Sequence, residues 1–139
     1  MVAYRDKIKV KTRGLASVHN ITDEIAQIVT ASGIRQGICC AAVVGSTAAI
    51  STIEYEPGLL EDIPHLMEKL IPSSTPYEHD KTWHDGNGFS HLRSFLVKTS
   101  LTIPFDAGKL DLGTWQQVVL VDFDNRPRSR ELVVQVVGD

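Results

Sequence analysis

The run Tyr77-Glu78-His79-Asp80-Lys81-Thr82-Trp83-His84-Asp85-Gly86-Asn87-Gly88-Phe89-Ser90-His91 holds three of the chain's 5 histidines. A helix starting near Asn87 would put Asn87 and His91, four apart, on one face, with His84 and Asp85 in the loop before it. Imidazoles and a carboxylate meeting there suit a divalent metal such as zinc. They equally suit a general acid and base, since histidine titrates near neutral pH. The plainer alternative also stands: Asn87 caps the helix, Asp85 complements its positive end, and the histidines are solvated.

Other polar sets are candidates for the same chemistry. Glu54 and Glu56, two apart on an extended segment, would project to one face, where one carboxylate's charge could keep the other protonated. The turn Gly45-Ser46-Thr47-Ala48-Ala49 offers two hydroxyls and free N–H groups to an anion. Arg126, Arg128 and Arg130 around Pro127 could fork a phosphate, with Arg128 and Arg130 on one strand face; a solvated turn is the competing reading. Gln116 follows a Leu-Gly-Thr turn and could hydrogen-bond a ligand, while Trp115 could wall a pocket or a subunit seam, with a core position the favoured reading. Cys39 and Cys40 are adjacent, face opposite ways on a strand and read as reduced apolar filler.

These side chains need a scaffold, and the apolar periodicity predicts one. Ile8, Val10 and Thr12 alternate with Lys7, Lys9, Lys11 and Arg13, as in an edge strand with one wet face. Ile21, Ile25, Ile28 and Val29 keep helical spacing, with Asp23 and Glu24 in the first turn and Gly33 at the stop. Residues 37–44 form an apolar run of central-strand length, and 48–56 are again extended. A second helix spans 59–70, with Asp62 as cap, Pro64 early and Pro72 ending it. Residues 73–86 read as a functional loop, followed by a short helix over 90–97. Strands over 100–105, 114–123 and 131–137, split by turns at 106–108 and 124–127, predict a C-terminal antiparallel meander. The whole is an α+β fold of antiparallel sheet layers with two to three helices, one compact domain over 1–139.

Composition narrows the function. The 139 residues are 42% hydrophobic and 22% charged, ordinary globular usage. A net charge of -3 without a basic tract gives no footprint for nucleic acid. Met1 to Lys11 has neither a signal-peptide core nor transit-peptide character, and no apolar run reaches membrane length, so a cytoplasmic protein is expected.

The ordered set Gly45-Ser46-Thr47-Ala48-Ala49, Glu54-Tyr55-Glu56-Pro57-Gly58, Asp62, Tyr77-x-His79, Asp85-Gly86-Asn87, Ser90-His91-Leu92, Leu110-x-Leu112-Gly113-Thr114-Trp115-Gln116 and Arg126-Pro127-Arg128-x-Arg130 resembles the YjbQ-like, or secondary thiamine-phosphate synthase, family over nearly the whole chain. The resemblance implies a homotrimer and a polar, often metal-occupied pocket that includes His79 and His91. It also implies weak thiamine-phosphate synthase activity, joining a pyrimidine pyrophosphate to a thiazole phosphate. A divalent ion, zinc foremost, at His79, His84, Asp85 or His91 would serve the leaving pyrophosphate, with an arginine of the 126–130 turn. Two positions depart from the family pattern: Gly45 and Phe89 stand where many members carry histidine, and His84 is the imidazole that would take over. The alternatives are a non-catalytic metal- or anion-binding trimer and a metal-assisted hydrolase with Glu54 as base.

Overall fold

The computed structural model describes all residues, Met1–Asp139. The strands are β1 (Val2–Thr12), β2 (Ser17–Asn20), β3 (Gly37–Val43), β4 (Ala48–Glu54), β5 (Ser100–Asp106), β6 (Lys109–Leu110), β7 (Gln116–Asp122) and β8 (Arg128–Gly138). The helices are α1 (Thr22–Ser32), α2 (Pro57–Leu70), α3 (Glu78–Trp83) and α4 (Gly88–Val97). The fold is α+β, with an antiparallel five-stranded sheet ordered β1-β8-β3-β5-β6 and an antiparallel three-stranded sheet ordered β2-β7-β4. As the alternation and the apolar run predict, β1 is an edge strand and β3 is central.

The larger core lies between the sheets and takes in the apolar side of α1. Ile25, Ile28 and Val29 of α1 pack there with Cys39, Ala41 and Val43 of β3 and Leu132, Val134 and Val136 of β8. Strand β7 is covered on both faces: Val118 and Leu120 belong to this core, whereas Val119 and Val121 join Ala49, Met67 and Phe123 in a second one. Two-sided burial explains why β7 reads as a continuous apolar run. Cys39 is buried, which pushes its thiol up to about 11, and neither cysteine forms a disulfide.

Three expectations need correction. The C-terminal half is not a meander: β5 and β8 flank β3 in one sheet, while β7 lies in the other between β2 and β4. The chain changes sheets between strands because each sheet buries its apolar face against the other, which local turn signals do not encode. There are four helices, the extra one being the six-residue α3 inside the segment read as a loop. It buries nothing, so no apolar period marks it. Helix α2 begins at Pro57, not Leu59, and its cap is Glu56, not Asp62: the Glu56 carboxylate accepts from the N–H groups of Gly58 and Leu59 at 2.8 and 2.5 Å. Glu56 is thereby spent on capping and forms no carboxylate pair with Glu54.

Candidate functional site: a histidine pair over a buried acid–arginine seam

Helices α3 and α4 meet at Gly88. Its N–H donates to Asp80 Oδ1 at 2.9 Å, and the other Asp80 oxygen accepts from the Tyr77 N–H at 3.2 Å. One carboxylate thus holds the start of both helices. A Cβ on Gly88 would come within 2.7 Å of Tyr77 Cβ and 3.3 Å of His79 Cβ, so glycine permits this approach. On the other side α4 sits directly on the three-stranded sheet. Ser90 Oγ donates to the Phe123 carbonyl and Ser94 Oγ to the Ala48 carbonyl, each at 2.6 Å.

This packing brings His91 against His79, with ring centroids 4.2 Å apart and planes tilted by 37°. Burial holds the His91 imidazole below its ordinary pKa, and the neighbouring His79 adds to this, against an opposing pull from Asp85 and Asp124. His79 Nδ1 lies 3.7 Å from Asp85 Oδ1 and 3.9 Å from Asp80 Oδ1. It is buried without a hydrogen-bond partner, a condition that costs about 1–3 kcal/mol. One ligand atom each from His79, Asp80 and Asp85 fall within 4.8 Å of one another. Zinc bonds of about 2.0–2.1 Å set neighbouring tetrahedral ligands roughly 3.4 Å apart. To hold such an ion the set would have to close by up to about 1.4 Å, with Asp80 using a lone pair beyond those that accept from Tyr77 and Gly88.

The Asn87 amide bridges from this cluster to the sheet. It lies between Asp85 and Asp124, and with its nitrogen turned to Asp85 it donates at 3.0 and 3.2 Å. Asn125 Nδ2 also donates to the Asp85 carbonyl at 2.9 Å, tying this loop to the β7–β8 turn.

Beneath the histidines runs a largely buried charged seam, open only at Arg128. Asp122 and Asp124 are both 0% exposed. Arg130 grips Asp122 with two bonds, Nε to Oδ2 at 2.7 Å and Nη2 to Oδ1 at 2.8 Å, and its Nη2 also donates to Thr47 Oγ1 at 2.6 Å. Thr47 Oγ1 in turn donates to Asp124 Oδ2 at 2.9 Å, where Arg128 Nε also donates at 2.8 Å. Thr12 Oγ1 completes the set on Asp122 at 2.5 Å. Burial pushes both carboxyls up, but it is outweighed. Arg130, Thr12 and the Asp124 N–H hold Asp122 below the usual range, and Thr47, the Asn125 N–H and Arg128 do the same for Asp124. Two acids and two guanidiniums compensate each other, so the seam is a buried support with its charges already paired.

The comparisons with known proteins agree with this architecture. The family model described as UPF0047 protein YjbQ-like matches residues 6–139. A UPF0047 protein of Archaeoglobus fulgidus is 36% identical over 94% of this chain and 99% of its own. One of Methanothermobacter thermautotrophicus is 36% identical over 99% and 94%. The crystal structure of a YbjQ-like protein of unknown function from Sulfolobus solfataricus P2 superposes with a TM-score of 0.94 at 36% identity, covering 99% of each chain. This chain belongs to the YjbQ-like family.

Gly45 and Phe89 each have a structural use. Phe89 is buried beneath the Arg93 guanidinium, 4.9 Å from its ring, and lies about 200° around α4 from His91. A Cβ at Gly45, whose φ is 148°, would come within 3.0 Å of Arg130 Nη1. The bare backbone leaves room for that guanidinium.

Of the residues singled out in the sequence, His79, Asp85, Asn87 and His91 are brought together, with Ser46 and Thr47 in the bend beside them. His84 ends α3 in a left-handed turn at φ 57°, exposed and outside the donor set. Arg128 and Arg130 face inward onto the acids, and Arg126 is exposed. Glu54 and Gln116 pair across β4 and β7. They are six residues along β4 from Ala48, on which α4 rests, or roughly 20 Å away. Sequence reasoning missed Asp80, Asp122 and Asp124. The last two were findable, since acids at 122 and 124 followed by arginines at 128 and 130 match in spacing across a tight turn.

Proposed function

We propose that the cluster around His79 and His91 is an active site for small phosphorylated molecules, working with a divalent ion of the zinc class. The observation that carries this is the buried, unpartnered Nδ1 of His79 facing the carboxylates of Asp85 and Asp80. His79, Asp80 and Asp85 would hold the ion, which when bound supplies charge stabilisation for a phosphate leaving group. His91, kept neutral near pH 7 by its surroundings, accepts a proton from the reacting molecule. Asn87 orients Asp85, and the paired seam below fixes the bend that carries Ser46 and Thr47.

The reaction proposed is secondary thiamine-phosphate synthesis, in which a pyrimidine pyrophosphate and a thiazole phosphate are joined and pyrophosphate is released. Its support is the family resemblance together with a donor set that could hold a divalent ion beside His91. Purified protein supplied with both substrates is expected to release pyrophosphate, and to stop doing so with chelator, in His79→Ala and in His91→Ala. Hydrolysis of phosphate esters or lactones without joining would replace the synthase reading by a hydrolase. Zinc binding with no turnover on either would reduce the site to metal or anion binding.

The homotrimer implied by the resemblance is part of the proposal. Trp115, read from the sequence as core, is instead 72% exposed, and Trp83 is 71% exposed; further copies of the chain would cover this surface. Trp115 adjoins Gln116 and its pairing partner Glu54, so a neighbouring copy's cluster is the one these two residues would reach. Sedimentation is expected to give three chains per particle. No helix is long and apolar enough to cross a membrane. We place the trimer in the cytoplasm, where the thiols of Cys39 and Cys40 would stay reduced.

A further inference from the structure

A groove of about 450 Å³ lies between the 13–18 segment and α2, lined mostly by apolar residues, with Arg13 its one charged group and neither histidine of the pair in its wall. A second, of about 410 Å³, runs from His91 along the last turn of α4 to the bend after β3, lined by Gly45, Ser46, Phe95, Lys98 and Thr99. Its polar groups are unspent. The N–H groups of Gly45, Ser46 and Thr47 have no acceptor in the protein, and the Ser46 hydroxyl makes no hydrogen bond. Successive free backbone N–H groups are a common cradle for anions.

Lys98 is the cation of this groove, and it belongs to none of the chain's ion pairs. Its ammonium lies 5.2 Å from the Phe95 ring centroid. The contrast with Arg93, Arg128 and Arg130 is chemical: each of those is already neutralised by a carboxylate. The backbone of Lys98 is also unusual, at φ 87° and ψ 154°. It is locked there by its own N–H donating to the Ser94 carbonyl at 2.9 Å and by its carbonyl accepting from the Ile50 N–H at 3.1 Å. Glycine takes such a conformation without strain, and a side chain does not. The chain nevertheless carries a lysine where the fold alone would favour none.

We infer that this groove is the phosphate-recognition arm of the site: the Lys98 ammonium, the Ser46 hydroxyl and the free N–H groups of the 45–47 bend bind the phosphate of a small phosphomonoester, leaving its reactive end at His91. The inference deepens the proposed function and rests on it for what happens at His91, but phosphate recognition itself is separable. Phe95 offers the ligand's carbon skeleton an apolar wall. Of the arginines near the β7–β8 turn, which the sequence suggests for this duty, Arg128 and Arg130 are occupied by Asp124 and Asp122, and Arg126 is exposed outside this groove.

The test is isothermal titration of inorganic phosphate into the full chain after metal removal, on the parent, Lys98→Gly, Lys98→Arg and His79→Ala. The parent should bind, Lys98→Gly should bind at least tenfold more weakly, and Lys98→Arg should keep most of the affinity. His79→Ala should bind as the parent does. Lys98→Gly should also melt at a higher temperature than the parent, since it relieves backbone strain, which separates lost binding from lost fold. Phosphate affinity unchanged in Lys98→Gly, or no binding by the parent, overturns the inference. The synthase reading is judged separately, by pyrophosphate release and its loss in His79→Ala.

Discussion

The molecule has two interiors built on opposite principles. Between the sheets, side chains such as Leu132 and Val134 bury apolar surface without directional demands. At the far end of β7, Asp122 and Asp124 are as fully buried, yet survive there because every charge has a fixed partner. The first interior tolerates approximate fit, while the second fails when one member is removed. The histidine pair sits over the second kind. Its supporting bend and helix are thereby set by directional bonds, as a site needing defined geometry requires.

The largest expected effect comes from breaking the seam. Asp122→Ala leaves Arg130, 8% exposed, without its two-bond partner and with Asp124 Oδ2 only at 3.7 Å, and should lower stability by about 3–5 kcal/mol in urea unfolding. The apolar comparison, Leu132→Ala, should lose about 2–5 kcal/mol by the same measurement. The sharper contrast is coupling. Asp122→Asn combined with Arg130→Met should destabilise less than the sum of the two single changes, whereas Leu132→Ala and a distant Met67→Ala should add. Additivity in the seam would mean its charges act independently.

Gly88→Ala tests the junction of α3 and α4. The added methyl meets Tyr77 and must push α3 away, at a cost of about 1–3 kcal/mol, with a fall in zinc affinity of about tenfold. Unchanged affinity would mean that α3 contributes no ligand.

Acid titration gives the smallest effect and a check of sign. His91 and His19 both take up protons at lower pH folded than unfolded, His19 because of burial and the nearby Arg13. Below about pH 6.5 the unfolded chain therefore binds more protons, and stability falls as pH falls through the folded values. Asp122 and Asp124, also lowered, contribute stability that is present above about pH 4 and lost on further acidification. His91→Gln should flatten part of the first decline and leave the second intact in pH-dependent unfolding.

The same contrast explains what was legible in the sequence. Apolar periodicity marks α1, β1 and β3 because burial there repeats along the chain. It leaves α3 unmarked, and it misplaces β5 and β7 because sheet membership depends on faces that meet only after folding. In the site, His79, Asp85, Asn87 and His91 share one stretch and read as one cluster. Asp80 was hidden by its capping role, and Lys98 by lying between a helix end and a strand start. The arginines were visible, but their buried partners on β7 were not weighed against them.

Zinc titration of metal-free parent, His79→Ala and His84→Ala, followed by calorimetry with elemental analysis of the products, tests the central claim most directly. The account predicts about one ion per chain in the parent and in His84→Ala, and a loss of at least tenfold in affinity in His79→Ala. Binding that survives in His79→Ala and disappears in His84→Ala would contradict it.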